Sequence, residues 1–459
     1  MQALKHTQQR QGLARLGLDQ DDVRVLVVGL GVTGLSVLKF LQQNDIEVAV
    51  VDSRENPPGL EVLEQSFRDA AVFLGSFNHA VFDAATHIIV SPGISLEEPE
   101  IQEAAERGVP VFGDIDVFAV CVDAPVAAIT GSNGKSTVTT LLGEMAANAD
   151  WDVRMGGNLG TPALDLLTDK TADLYVLELS SFQLERTSQL KAEVVALLNI
   201  SDDHMDRYQG IEDYCAAKER IFYGNGVAVM NRQDSVVDAI VLPKGRKLVS
   251  TGLDSPALGH YGVTSQALVS KNGEAVIATP ELRIKGSHNV QNALTAIAMA
   301  DALGVPKVAQ VKALKSFSGL AHRTQWVADI SGATWINDSK ATNPGACLAA
   351  LNGLSSPIIL IAGGDGKGAD FRLLQDAIEQ NVSFMILIGR DAQRLKQEAS
   401  GSIPCVLVDD IETAVTVAAS HAKSGDTVLL SPACASLDQF VNYQQRGERF
   451  MAAVAELMS

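Results

Sequence analysis

Several things are scarce in this sequence, and each scarcity excludes a class of functions. The five cysteines, Cys121, Cys215, Cys347, Cys405 and Cys434, are odd in number, far apart and form no CxxC pair. They argue against a disulfide framework and a cysteine zinc site, and read as reduced core or near-site thiols of a cytoplasmic protein. No apolar run approaches the roughly 18 residues of a membrane span; the longest, around 25–32, is strand-sized. Residues 1–22 carry charge but no apolar segment and no small-residue cleavage site. A secretion signal is not expected there; a solvated tail or short helix is. Basic residues are outnumbered, 36 Lys and Arg against 55 Asp and Glu, a formal net charge of −19 with no Lys/Arg run. Such a surface repels nucleic-acid phosphate and anionic lipid. Fixed-period repeats and low-complexity linkers are also missing.

Core-forming material is abundant. Apolar residues make up 46% of the 459 residues and charged residues 20%, which excludes bulk disorder; at about 150 residues per domain, the length suggests three domains. Short runs of Val, Ile and Leu recur at 23–28, 48–51, 88–90, 126–129, 175–179, 194–198, 227–229, 358–361, 384–388, 406–408 and 427–430. They alternate with helical stretches such as 136–148 and 411–423. Continuous apolar runs of this kind suit strands buried on both faces of parallel sheets. Between 249 and 284 the pattern weakens, as in a small antiparallel patch or long excursion. The α/β series restarts near Gly113 and Gly319. The expected fold class is therefore α/β in three domains: a Rossmann-like N-terminal domain (1–113), a central P-loop ATPase-type domain (114–319) and a Rossmann-like C-terminal domain (320–459).

Glycine-rich turns follow three of the runs, at Gly29–Gly34, Gly131–Lys135 and Gly363–Gly368. Gly29-Leu30-Gly31-Val32-Thr33-Gly34 matches GxGxxG between strand and helix, with Asp52 closing the next strand. Backbone amides at a helix N-terminus suit a diphosphate, and an acid at that place suits a ribose. The turn favours a nucleotide diphosphate without establishing NAD. Thr130-Gly131-Ser132-Asn133-Gly134-Lys135-Ser136-Thr137 resembles a P-loop: amides cradle phosphate, Lys135 reaches the terminal phosphates and Ser136 can ligate Mg²⁺. It is shorter than GxxxxGK[ST], because Ile129 stands where the first glycine would be. Glu178 ends a strand, and His204 lies just after another in Ser201-Asp202-Asp203-His204. Together, downstream of a P-loop, they suit a hard-cation site, although histidine is an uncommon Mg²⁺ ligand. Lys218, taken alone, reads as a solvated helix lysine. The loops around Lys340, Lys367 and Ser436 follow three more strands, and their lysines, hydroxyls and amides suit a small dicarboxylate. Cys434 has no histidine neighbour in sequence to activate it as a nucleophile.

TGSNGKST, ELSSFQLE, DDHMDRY, NDSKATN, GGDGKGADF and LSPACASLDQF occur in that order. The set resembles the Mur ligase family over nearly the whole chain after the N-terminal extension. The glycine turn and the SPACAS segment point to its D-glutamate-adding branch. The resemblance implies an ATP-dependent amide ligase that adds D-glutamate to UDP-N-acetylmuramoyl-L-alanine through an acyl phosphate. That is a cytoplasmic step of peptidoglycan biosynthesis. It implies ATP and Mg²⁺ as cofactors, small-molecule substrates as partners, a monomer, and neither nucleic acid nor membrane insertion.

The resemblance also implies roles. Thr33 would face the UDP diphosphate, with Asp52, Ser53, Arg54 and Gly93 around the uridine, and Asn158 and His204 on the sugar substrate. Gly131, Ser132, Asn133, Gly134, Lys135, Ser136 and Thr137 would hold phosphate, Asn289 and Asn292 adenine, and Arg323, Asp338 and Lys340 ribose and phosphate. Lys135, Glu178, His204, Lys218 and Arg323 would be catalytic. Ser136, Glu178, His204 and a carbamylated Lys218 would ligate metal. Thr342, Lys367, Ser436 and Tyr443 would bind D-glutamate, Tyr443 standing where relatives often have Phe. Competing readings are an NAD-dependent dehydrogenase, which leaves TGSNGKST unexplained, a related amide ligase, and a P-loop regulatory switch.

Overall fold

The structure is a computed structural model that describes residues 2–458 except 21, 68, 69, 206, 266, 285 and 356. Its apolar runs become short strands, most of them buried, assembled into three large successive sheets. The first is fully parallel, in the order Ala71–Leu74, Val48–Asp52, Val25–Val28, His87–Val90, Val111–Phe112. The second is also parallel, in the order Arg246–Thr251, Gly226–Asn231, Val194–Leu197, Val126–Thr130, Leu174–Glu178, Val153–Gly157. The third runs Gln325–Ile330, Ala333–Asn337, Thr427–Leu430, Ile358–Gly363, Val382–Ile388, Cys405–Leu407, with only the first strand antiparallel to its neighbour. The α/β class with three sheet-centred units is what the alternating runs lead one to expect.

The weak stretch after 249 divides in two. Its start joins the second sheet as the end of Arg246–Thr251, and the remainder forms an antiparallel patch, Gly262–Thr264, Ala267–Val269 and Ala275–Ala278. The N-terminal extension is a helix, Gln2–Ala14, anchored by the buried side chain of Leu13 in its last turn and of Leu16 and Leu18 just beyond its end. Among the described residues, no helix is long and apolar enough to cross a membrane. The cysteines are free thiols, four of them buried. Burial pushes the Cys434 thiol far up, so it is not poised as a nucleophile.

Strand order places the chemistry. Val126–Thr130 lies between Val194–Leu197 and Leu174–Glu178, so the loops that follow all three share one rim, where open parallel sheets bind ligands. In the third sheet Ala333–Asn337, Thr427–Leu430 and Ile358–Gly363 are likewise adjacent, and their three loops also meet.

Candidate active site

The phosphate loop is built from backbone constraints before any side chain reaches a ligand. Gly134 has φ 86° and leads into the helix Lys135–Ala147. A Cβ there would come within 2.5 Å of Asn292 Oδ1, so only glycine fits. Asn199 clamps the loop from the neighbouring strand end: Asn133 N–H donates to its Oδ1 at 2.8 Å, and its Nδ2 donates to Asn133 O at 3.0 Å. Lys135 Nζ donates to Gly131 O at 2.8 Å and Ser132 O at 2.9 Å, curling over the loop. Burial holds its pKa below the ordinary lysine range and Arg323 adds repulsion, while Glu178 and Asp203 oppose both.

Ser136 and Glu178 are partners. Ser136 Oγ donates to Glu178 Oε2 at 2.5 Å, and Asn158 Nδ2 donates to Glu178 Oε1 at 2.7 Å. The third unit reaches into this pair, because Arg323 Nη2 donates to Ser136 Oγ at 2.7 Å. Two non-glycine residues flanking Arg323, His322 (φ 63°) and Thr324 (φ 45°), hold left-handed backbone, a local strain that the fold sustains to aim this side chain. Thr324 N–H donates to Asp338 Oδ1 at 2.9 Å, and Ser431 Oγ to Asp338 Oδ2 at 2.8 Å. Burial raises Asp338 to about 6 and lowers Lys340 to about 8.

A cleft of about 450 Å³ opens between the second and third units. Its walls include Asn133, Gly134 and Thr137 from the phosphate loop and Asn289 and Asn292 from the helix Ser287–Leu303. Arg323, Asp338 and Lys340 close it from the other side. A P-loop, a buried carboxylate and cations from a second sheet around one cleft can bind a nucleoside triphosphate and neutralise charge on it.

Three family models match consecutive stretches of the chain. They are the Mur ligase MurD-like N-terminal domain over residues 23–113, the Mur ligase middle domain over 129–300 and the Mur ligase glutamate ligase domain over 322–434. A UDP-N-acetylmuramoylalanine–D-glutamate ligase of Methylococcus capsulatus is 52% identical over 449 residues, covering 97% of both chains. The chain belongs to the Mur ligase family. A relative of the same name from Pseudomonas aeruginosa is 48% identical across 94% of this chain and 98% of its own. Two solved structures share the Mur ligase architecture at low identity. A pseudomurein peptide ligase type C from Methanothermus fervidus has TM-score 0.60 and 17% identity, covering 95% of this chain and 100% of its own. MurF from Acinetobacter baumannii has TM-score 0.59 and 18% identity, covering 98% of both.

Within the Mur ligase frame, the remaining residues divide by position. Lys218 is not the solvated helix lysine that its sequence context suggests. It is 1% exposed, donates to Gly131 O at 3.0 Å and lies 4.5 Å from the centre of the Tyr214 ring. Burial and the nearby Lys135 cation depress its pKa well below the usual value. The His204 ring packs on Phe182, centroids 4.7 Å apart, with Nε2 3.8 Å from Asp203 Oδ2. Among the described residues, no three His, Cys, Asp or Glu side chains stand at metal-ligand spacing. The hard oxygen donors of Ser136 and Glu178 nevertheless suit Mg²⁺, which takes few protein ligands when phosphate oxygens supply the rest.

On the first sheet, Gly34 approaches the Gly29 carbonyl so closely that a Cβ would collide with it. Asp52 is fully buried: Oδ2 accepts from Leu30 N–H and Arg54 Nη2, both at 2.7 Å, and Oδ1 accepts from Arg54 Nε at 2.8 Å. It braces the glycine turn. Thr33 is half-buried, whereas Ser53, Arg54 and Gly93 are exposed.

On the third sheet, Asp365 and Ala435 exchange backbone hydrogen bonds of 3.0 and 2.8 Å, joining the Lys367 loop to the Ser436 loop. Lys367 is exposed at φ 48°, and Ser436 is buried. Thr342 N–H donates to Lys340 O at 2.8 Å, and Lys340 Nζ lies 4.1 Å from the centre of the Tyr443 ring. Unlike Lys340, the residues Thr342, Lys367, Ser436 and Tyr443 stand outside the walls of the 450 Å³ cleft.

Three contributors escaped sequence reasoning. Asn199 clamps the P-loop. Asp203 exerts its charge on Lys135, Lys218 and Lys340 together; its signal was an acid beside His204 at a strand end. Arg446, fully buried, donates to Ser339 O at 2.7 Å and to Cys434 O at 3.1 and 3.2 Å, tying the loops after two neighbouring strands together. In sequence it is one more arginine on an amphipathic helix.

Proposed function

We propose that the chain is an ATP- and Mg²⁺-dependent ligase that joins D-glutamate to UDP-N-acetylmuramoyl-L-alanine, working in the cytoplasm as a monomer on the route to peptidoglycan. The observation that carries the reading is the approach of Arg323 and Lys340 from one sheet to the phosphate loop of another, around the cleft. The name shared by relatives at 48–52% identity over nearly full length supports the choice of substrates. The division of labour follows the three units: residues 1–113 for UDP, 114–319 for ATP and 320–459 for the amino acid.

In the first step a substrate carboxylate oxygen attacks the γ-phosphorus of ATP, the bond to ADP breaks, and an acyl phosphate forms. In the second, the D-glutamate amine attacks the acyl carbon, the C–O bond breaks, phosphate leaves and the amine loses a proton. Both steps depend on positioning and charge neutralisation. The amides of 131–137 and Lys135 hold the phosphates; Asn289 and Asn292 face the adenine, and Asp338 and Lys340 the ribose and phosphate. Ser136, Glu178 and His204 would hold Mg²⁺, which when bound would supply the charge that lets two anions meet. A buried, readily neutral Lys218 amine can add CO₂, and the resulting carbamate would serve as a further metal-binding carboxylate. Arg323 closes from the third unit, excluding water from the acyl phosphate.

Thr33, Ser53, Arg54 and Gly93 take the UDP, Asp52 acting through the turn it braces, and Asn158 takes the sugar end. Thr342, Lys367, Ser436 and the Tyr443 backbone take the D-glutamate carboxylates. An anionic chain thus binds anions through local cations and amides. The test is ADP release with UDP-N-acetylmuramoyl-L-alanine and D-glutamate, L-glutamate or no amino acid. Stimulation by D-glutamate alone is expected; stimulation by L-glutamate alone contradicts the reading.

A further inference from the structure

One backbone oxygen of the first unit is held by two arginines of the second. The Ile94 carbonyl accepts from Arg186 Nη2 at 2.7 Å and Arg207 Nη2 at 2.9 Å. Glu185 Oε1 lies 2.9 Å from both guanidinium groups, and Glu185 Oε2 accepts from the Tyr208 hydroxyl at 3.2 Å. Arg186 is 5% exposed, and its stem lies against Gly113, where a Cβ would come within 2.9 Å of Arg186 Cγ. Two charge-assisted donors on one neutral carbonyl exceed what satisfying a loop requires, and burying a guanidinium is costly unless such contacts offset it.

Both ends of this arrangement lead to ligand-facing loops. Ile94 N–H donates to Ser91 O at 3.0 Å, and Ser91 Oγ donates to Gly29 O of the glycine turn at 3.0 Å. In the other direction the Arg207 guanidinium lies 4.9 Å from the centre of the Phe182 ring, which touches His204 and stacks on Tyr208 at 6.0 Å. Tyr208 meets Tyr214 at 5.4 Å, and the Tyr214 hydroxyl is 3.1 Å from Ser132 Oγ in the phosphate loop. Hydrogen bonds lead from the glycine turn to the Ile94 carbonyl, and packed side chains continue from Arg207 to the phosphate loop.

We propose that Arg186, Arg207 and Glu185 form a latch that sets the turns 29–34 and 91–94 against the phosphate loop. These are positioning residues, acting through the Ile94 carbonyl and the Phe182 ring. The role rests on the ligase reading above, because it is the UDP-linked carboxylate that must be delivered to ATP. The latch itself does not rest on that reading.

The test uses the full chain with Arg207→Ala, Arg207→Lys and Glu185→Gln. Amide hydrogen exchange of 91–96 in the ligand-free protein is expected to quicken in Arg207→Ala, with the strand Val126–Thr130 unchanged. The KM for the UDP substrate should rise about 10- to 100-fold, the cost of a small misplacement, while the KM for ATP stays within about twofold. Arg207→Lys should restore part of the loss. Unchanged exchange at 91–96, or equal rises in both KM values, would overturn the latch. If Arg207→Ala does not fold, Glu185→Gln, which keeps the shape and removes the shared charge, decides by the same readings. Should the parent release no ADP with the UDP substrate, the ligase reading falls and the exchange measurement still decides the latch.

Discussion

Arg323 and Ser136 are 187 residues apart in sequence and joined by a 2.7 Å hydrogen bond between two sheets. The same Ser136 hydroxyl donates to Glu178, so the third unit and a buried carboxylate of the second meet at one atom. Arg323→Ala is expected to lower kcat by about 10²–10³-fold, the scale of a lost preorganised charge, and to leave UDP-substrate affinity nearly unchanged by calorimetry. Arg323→Lys should recover little, since an ammonium lacks the planar fork. Near-normal turnover in Arg323→Ala would show that closure does not act through this side chain.

Lys218 carries the second prediction. Its burial against Tyr214 and Gly131 O depresses its pKa and favours the neutral amine that CO₂ requires. Depleting bicarbonate should reduce the activity of the parent and restoring it should recover that activity. Lys218→Ala should be poorly active and indifferent to bicarbonate. Full activity in Lys218→Ala removes the carbamate from the mechanism.

Much of the architecture was legible because strands buried on both faces write themselves as continuous Val/Ile/Leu runs, such as 126–129 and 358–361. Not every edge strand was: Val153–Gly157 is mostly Arg and Gly with no apolar run, and Val111–Phe112 is only two residues long. At the site, Lys135 and Ser136 announce themselves by the loop's chemistry. Lys218 and Arg446 do not, because helix register says nothing about which distant carbonyls and rings cover a face.

Arg446 gives the third prediction. Its guanidinium satisfies the Ser339 and Cys434 carbonyls in a dry site. Arg446→Met should destabilise the third unit by about 3 kcal/mol, the cost of stranding buried polar partners, and raise the KM for D-glutamate. Urea unfolding and steady-state kinetics check both; an unchanged midpoint contradicts the bracing role.

Asp114, buried at the start of the helix Asp114–Cys121, has its pKa raised to about 6 by burial, against the lowering influence of Gln183 and Arg186. Because the folded value exceeds the unfolded one, its stabilising protonation is complete below about pH 4 and is lost as pH rises through about 6. The ionised form costs roughly 2–3 kcal/mol at pH 8. Asp114→Asn should therefore gain stability relative to the parent at pH 8, with the difference shrinking by pH 5. A pH-independent difference in urea midpoint contradicts this.

The proposed ligase phosphorylates the substrate carboxylate before the amide forms. Labelling both carboxylate oxygens of the L-alanyl group with ¹⁸O and analysing products by mass spectrometry tests it directly. One ¹⁸O is expected in the released phosphate and the other in the new amide carbonyl; phosphate free of label would rule out the acyl phosphate.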